Sequence, residues 1–186
     1  MKIFFCSQKK DIQNEEWRNK GCSVSALWMA LKSLNQDFDL SVDELLGEAI
    51  SIKSFSEAGF WRHDKISVLA HNHGLAAYNE EFKSIPFGEE TKYARDLNKY
   101  GVEKIFNFLK DKKGLVIVSV PKNFSELNKP HSILLHNIKA DDKGNNFFVY
   151  HDSEKDNGES GADLEISLEI FEKTWRKLAI FLSKIK

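Results

Sequence analysis

Residues 21–34 read GCSVSALWMALKSL. From Cys22 onward the run is apolar on nearly every side, the pattern of a helix buried inside a domain rather than lying on its surface. Cys22 falls in the first turn of that helix, directly after Gly21. A helix N-terminus carries unpaired backbone N–H groups and a partial positive charge. Both favour thiolate over thiol and can bring a cysteine pKa to ~3.5–7.5. The same N–H groups can cradle an oxyanion. Most lone cysteines in apolar helices are structural, so this position gains meaning only from partners elsewhere in the chain.

Outward from this helix, Lys2–Ser7 predicts a short strand. Ser41 and Glu44 in SVDE form a capping box that opens a second helix of about two turns, ended near Gly47. A third helix is expected over His63–His73, stopped by Gly74, and a fourth over Asn98–Lys112, with Gly114 after it. The spacing of Val102, Ile105, Phe106 and Leu109 gives the fourth helix its apolar face. LVIVSV (115–120) reads as a fully buried strand. HSILLHNIK (131–139) and NNFFVYHD (145–152) read as two more, joined by KADDKG as a hairpin loop. An amphipathic helix over Ser167–Lys177 and a last strand, LAIFLS, complete the chain. Helices first and a meandering antiparallel sheet afterwards is an α+β pattern. With no repeat or flexible linker, residues 1–186 are expected to form one domain.

Composition narrows the function classes. The 27 basic residues nearly cancel the 28 acidic ones, so no overall field favours nucleic acid or an anionic membrane surface. The apolar run at the start is too short for a signal-peptide core or a membrane span, and the expectation is a cytoplasmic protein, although a removed signal peptide would leave no trace. Two cysteines are too few for a disulfide framework and suit free thiols, with a Cys6–Cys22 bridge left open.

A thiolate nucleophile needs a general base, and the base needs a group that fixes its tautomer. If Asn137 faces Asn146 across the hairpin, the same register sets His131 opposite Asp152, and an imidazole meets a carboxylate at the open end. A slip of one residue would bring His151 there instead. Oxyanion stabilisation often uses a side-chain amide as well as backbone donors, and Gln8 and Gln13 both lie upstream of Cys22. Gln8 is preferred because it follows directly on the first expected strand.

At these positions the sequence resembles the papain-like peptidases of the bacteriocin-processing, double-glycine type and their C39-like relatives. The resemblance rests on FFCSQ, Trp17, GCSVSALWMAL, GFWRHDKISVLAHNHGL, FLKDKKGLVIVSV, KPHSILLHNIK and FFVYHDS. It implies a papain-like fold in which a buried N-terminal helix bearing the cysteine packs against an antiparallel sheet bearing His and Asp. It also implies Cys22 as nucleophile, His131 as base, Asp152 as the orienting residue and Gln8 as oxyanion donor. Ser23 stands where many members have Gly, and Asn137 or Asn123 are alternatives to Asp152, since papain-like sites accept an amide in that role. The implied reaction is cleavage of a peptide or isopeptide bond in a peptide or protein substrate, through a thioester and without a cofactor. Amide hydrolysis or acyl transfer is the close alternative. Pocket residues are expected from SFSEAGFWRH and PKNFSELNKP.

Other readings are weaker. A non-catalytic binding module on the same fold would not need all three triad residues. A thiol redox protein would need Cys6 and Cys22 close together. His63, His71 and His73 lack metal-ligand spacing, and the acidic stretch from His151 to Glu165 lacks the ordered calcium-loop pattern, so no metal is expected at either. Neither nucleotide-binding glycine motif occurs.

Overall fold

The structure is a computed structural model that describes residues 1–84, 92–125, 129–155 and 160–185. Its elements in chain order are α1 (Cys22–Leu34), α2 (Val42–Ser51), α3 (His63–Asn72), β1 (Leu75–Glu81), α4 (Lys92–Lys110), β2 (Leu115–Pro121), a short 3-10 turn (Lys122–Phe124), β3 (Pro130–Ala140), β4 (Asn146–His151), β5 (Leu164–Ser167), α5 (Leu168–Thr174) and β6 (Leu178–Lys184). The strands form one antiparallel sheet in the order β1-β6-β2-β3-β4-β5.

The period-2 geometry of a strand explains why LVIVSV is apolar throughout. Leu115 and Ile117 join a core with α1, α2 and α3, while Val116, Val118 and Val120 join a second core with α4 and α5. Helices therefore cover both faces, and a central strand has no polar side. Helix α1 is enclosed by α2, α3 and the sheet, with Val24, Ala26, Leu27, Met29, Ala30 and Leu31 fully buried. Each large side chain so buried contributes about 1.5–3 kcal/mol.

Several expected boundaries move. The capping box of α2 forms, with Ser41 Oγ accepting from the Glu44 N–H and Glu44 Oε2 accepting from the Ser41 N–H. The helix nevertheless runs through the exposed Gly47 to Ser51, because Ala49 extends the buried stripe of Leu45 and Leu46. That contact offsets the ~1 kcal/mol that glycine loses relative to alanine in a helix. Helix α4 starts six residues earlier than Asn98, and Ala94 and Leu97 pack in its first turns. The C-terminal helix is shorter than Ser167–Lys177, and strands β1 and β5 had no clear apolar alternation to reveal them.

Lys2–Ser7 is not a strand. Its backbone groups do not join the sheet; the Phe4 N–H donates to Ser33 Oγ on α1 at 3.0 Å, and Ile3 and Phe5 pack against the helical core. The hairpin register also differs from expectation. Asn146 faces Ala140, Asn137 faces Val149, and a bulge at His136 shifts the pairing so that Leu134 faces His151. The turn is tighter than KADDKG implied: Asp141 Oδ1 accepts from the N–H groups of Lys143 and Asn145, so pairing resumes at once. Neither His131 nor Asp152 is paired with the other on the ladder; His131 pairs with Val120 on β2, and Asp152 has already left β4.

Candidate active site

Cys22 is the first residue of α1 and is half-buried. The preceding turn is built tightly. Gly21 N–H donates to the Trp17 carbonyl at 2.8 Å, and a Cβ on Gly21 would lie 2.3 Å from Ile12 Cδ1, so a side chain there would require the buried Ile12 to shift. The Trp61 indole N–H donates to the Lys20 carbonyl at 2.6 Å, and beside it Phe55 meets Trp17 and Trp61 edge to face while the two indoles lie tilted to each other. Through Phe55 and Trp61, SFSEAGFWRH buttresses the turn before Cys22. PKNFSELNKP includes residues 126–128, which lie outside the described residues, as do residues 156–159 of the acidic stretch.

His131 stands near the start of β3, an interior strand, and is 4% exposed. Its Nε2 lies 2.6 Å from Asp152 Oδ1. Cys22 favours protonation of the same ring, and with Nε2 on Asp152 the nitrogen left for the sulfur is Nδ1. Asp152 reaches His131 from a loop and not from the strand. Its N–H donates to the Gly161 carbonyl at 2.8 Å, and the chains approach so closely that a Cβ on Gly161 would sit 2.0 Å from the Asp152 carbonyl oxygen. The Glu154 N–H donates to the same Oδ1 that faces His131.

The charges follow from these contacts. Burial pushes the Cys22 thiol up, but the His131 hydrogen bond and charge, with the Ser132 N–H, outweigh it and hold Cys22 below the ordinary thiol range. Burial pulls His131 down, yet hydrogen bonds and charge from Asp152 and Cys22 raise it well above an ordinary histidine. Burial pushes Asp152 up, and its bond to His131 more than reverses this. The arrangement favours a thiolate–imidazolium pair beside a carboxylate.

Gln8 is fully buried and held at three points. Its backbone N–H donates to the Ser153 carbonyl, its Oε1 accepts from Ser153 Oγ, and its Nε2 donates to the Arg18 carbonyl, each at 2.9 Å. One amide hydrogen remains after these bonds. The support is therefore the loop after β4, not a strand. Gln13 is exposed, with its backbone N–H on the Asp43 carboxylate.

Three residues at the site had no signal in the sequence. Ser132 bonds Ser23, their Oγ atoms 2.7 Å apart in a buried contact. Ser153 fixes Gln8. Glu154 places Oε2 3.5 Å from His131 Nδ1 and pairs through Oε1 with Lys122 at 2.6 Å, so a carboxylate lies near Cys22 and His131 and opposes the lowering of Cys22.

The alternatives lie elsewhere. His151 faces Leu134, and Asn123 and Asn137 are exposed. His71 bonds the Ala77 carbonyl and His73 bonds Glu48. Cys6 and Cys22 are both free, and burial with the Asp11 charge pushes Cys6 up to about 12.

Residues 4–179 match the Peptidase_C39 like family. The chain belongs to that family. No curated protein matches the sequence. Among solved structures, this C39-like chain is similar to the peptidase domain of Streptococcus ComA, a bifunctional ABC transporter of a quorum-sensing pathway (16% identity, 90% of this chain and 93% of that one, TM-score 0.58). It is also similar to a double-glycine motif protease from an AMS/PCAT transporter in complex with the leader peptide (14% identity, 99% and 93%, TM-score 0.57). The peptidase domain of Streptococcus mutans ComA with a small-molecule inhibitor is a third (16% identity, 98% and 99%, TM-score 0.51). These likenesses establish the papain-like fold of the C39-like chain, with Cys22 on the N-terminal helix and His131 and Asp152 at the sheet. Among the described residues, no helix is long and apolar enough to cross a membrane.

Proposed function

We propose that this chain is a cysteine peptidase that cleaves a peptide or protein substrate through a thioester on Cys22. The observation that carries the reading is the grouping of Cys22, at a helix N-terminus, with His131, whose Nε2 lies 2.6 Å from Asp152 Oδ1. The thiolate attacks the scissile carbonyl carbon, and the carbonyl oxygen takes up the negative charge. The Cys22 N–H, in the first turn and without an intrahelical acceptor, and the remaining Gln8 amide hydrogen stabilise that oxyanion. His131 passes its proton to the leaving amine as the C–N bond breaks, leaving a thioester. It then takes a proton from water, which attacks the thioester; the acid product leaves and Cys22 returns to thiolate beside protonated His131. Asp152 holds the imidazole in place throughout.

A peptide substrate suits this reading because the double-glycine motif protease was solved with a leader peptide bound. The test is incubation with a library of extended peptides, mass spectrometry of the products, and capture of the acyl-enzyme by rapid acid quench. Cleavage by wild type and none by Cys22→Ala is the expected result. Equal cleavage by both would overturn the assignment, and labelling of Cys22 without turnover of any peptide or protein would favour a binding role.

A further inference from the structure

A second cluster, which the proposed peptidase chemistry does not use, lies one residue from Asp152. We propose that His136, His151 and Asp163 form a binding site for a divalent transition-metal ion of the zinc type. One ligand atom from each of the three residues falls within 4.8 Å of the others. His136 Nε2 is 3.2 Å from Asp163 Oδ1, and His151 Nδ1 is 4.0 Å from the same oxygen. Zinc bonds of about 2.0–2.1 Å at tetrahedral angles separate neighbouring ligand atoms by about 3.3–3.4 Å. The first pair is thus already at coordination distance, and the second needs a contraction of well under an ångström.

An independent observation points to a ligand here. The His136 side chain is only 5% exposed, yet its Nε2 makes no hydrogen bond among the described residues. The nearby Asp163 oxygen is close enough but poorly aligned for one. A buried ring nitrogen with a carboxylate oxygen at 3.2 Å but no hydrogen bond calls for an explanation, and an ion bound between the three residues provides it. Two imidazoles and one carboxylate select zinc, cobalt, nickel or copper over calcium and magnesium, which prefer oxygen alone. The Asp163 side chain is 73% exposed, so the outward position stays open to water.

The fold brings the three together. His136 is the bulged residue of β3, His151 ends β4 with its ring packed against the ring of Phe5, and Asp163 closes the loop that began at Asp152. The Asp163 N–H donates to His151 Nδ1 at 3.0 Å, and a metal on that nitrogen would replace this bond. The ion would then tie β3 to both ends of the loop that carries Asp152, Ser153 and Glu154.

The full chain carrying Cys22→Ser, which removes the thiol that would otherwise compete for metal, is titrated with Zn²⁺ by calorimetry and followed by thermal unfolding. One equivalent bound, with a rise in Tm, is expected. Adding Asp163→Asn, at an exposed side chain, should weaken binding at least tenfold and abolish the rise, and His136→Gln should do the same if it folds. Absence of binding, or equal binding and an equal Tm rise with Asp163→Asn, would overturn the proposal. This outcome is independent of peptidase activity, because the titrated chain lacks the nucleophile.

Discussion

Ser23 Oγ and Ser132 Oγ lie 2.7 Å apart, Ser23 one residue beyond Cys22 and Ser132 one residue beyond His131. The bond joins the first turn of α1 to β3 between the strand's core and its end, so the distance from Cys22 to His131 is set partly by two hydroxyls. Either alanine substitution leaves one buried hydroxyl unpaired and should reduce stability by about 1–3 kcal/mol. The double variant should recover most of that stability. Its alkylation at Cys22 should stay slower than wild type, because the spacing is no longer held. A double-mutant cycle with coupling near zero would show that the contact is incidental.

Cys22 should react with iodoacetamide far faster than Cys6 near neutral pH. With Cys6 pushed up to about 12 and Cys22 held below 9.0, the thiolate fractions differ by at least ~10³. The greater nucleophilicity of the more basic thiolate returns ~30-fold of this, so a difference of ~30-fold or more remains before burial of Cys6 is considered. Peptide mapping after brief labelling measures it. His131→Ala should remove most of the preference, and equal rates in wild type would sink the nucleophile assignment.

The pH dependence should have two limbs. Thiolate appears as pH rises through the lowered pKa of Cys22, so the acid limb lies below 9.0. The imidazolium that protonates the leaving amine survives until pH passes the raised pKa of His131, so turnover should hold well above 6.5 before it falls. Asp152→Asn removes a charge that raises His131, and the alkaline limb should move to lower pH. Glu154→Gln removes a charge that raises Cys22, and the acid limb should move the same way. Profiles of kcat against pH for the three proteins decide the matter; an alkaline limb unmoved by Asp152→Asn would contradict the orienting role.

Gln8→Ala should lower kcat by ~10²–10³-fold while alkylation of Cys22 changes much less, because alkylation generates no oxyanion. Since Gln8 also satisfies Ser153 and Arg18, rates are to be compared per folded molecule. Gln13→Ala, at an exposed side chain, should be silent. Parallel losses of alkylation and turnover in Gln8→Ala would point to displacement of Cys22 instead.

The parts of this protein that the sequence made legible are those governed by local rules. The all-round apolarity of α1, the capping box at Ser41 and the unbroken run LVIVSV each follow from burial or from hydrogen bonding within a few residues. The hairpin register was not of that kind. Its turn depends on Asp141 gathering two N–H groups, and the bulge at His136 adds a shift that no alternation pattern records. His131 and Asp152 meet all the same, because the loop from Asp152 to Gly161 delivers the carboxylate that the ladder does not. Ser132, Ser153 and Glu154 stayed hidden because what matters about them is a partner distant in sequence. Likewise the support for Gln8 proved to be Ser153 and not a strand.

The bond between Ser153 Oγ and Gln8 spans 145 positions of the chain. A ribosome adding about 5–20 residues each second needs roughly 7–30 s to make that interval. During this time the nascent chain already holds Cys22 and its helix but lacks the carboxylate and the clamp on Gln8. The proposed site is therefore incomplete until Ser153 has been made, and before then the nascent chain carries an unarmed thiol past its neighbours.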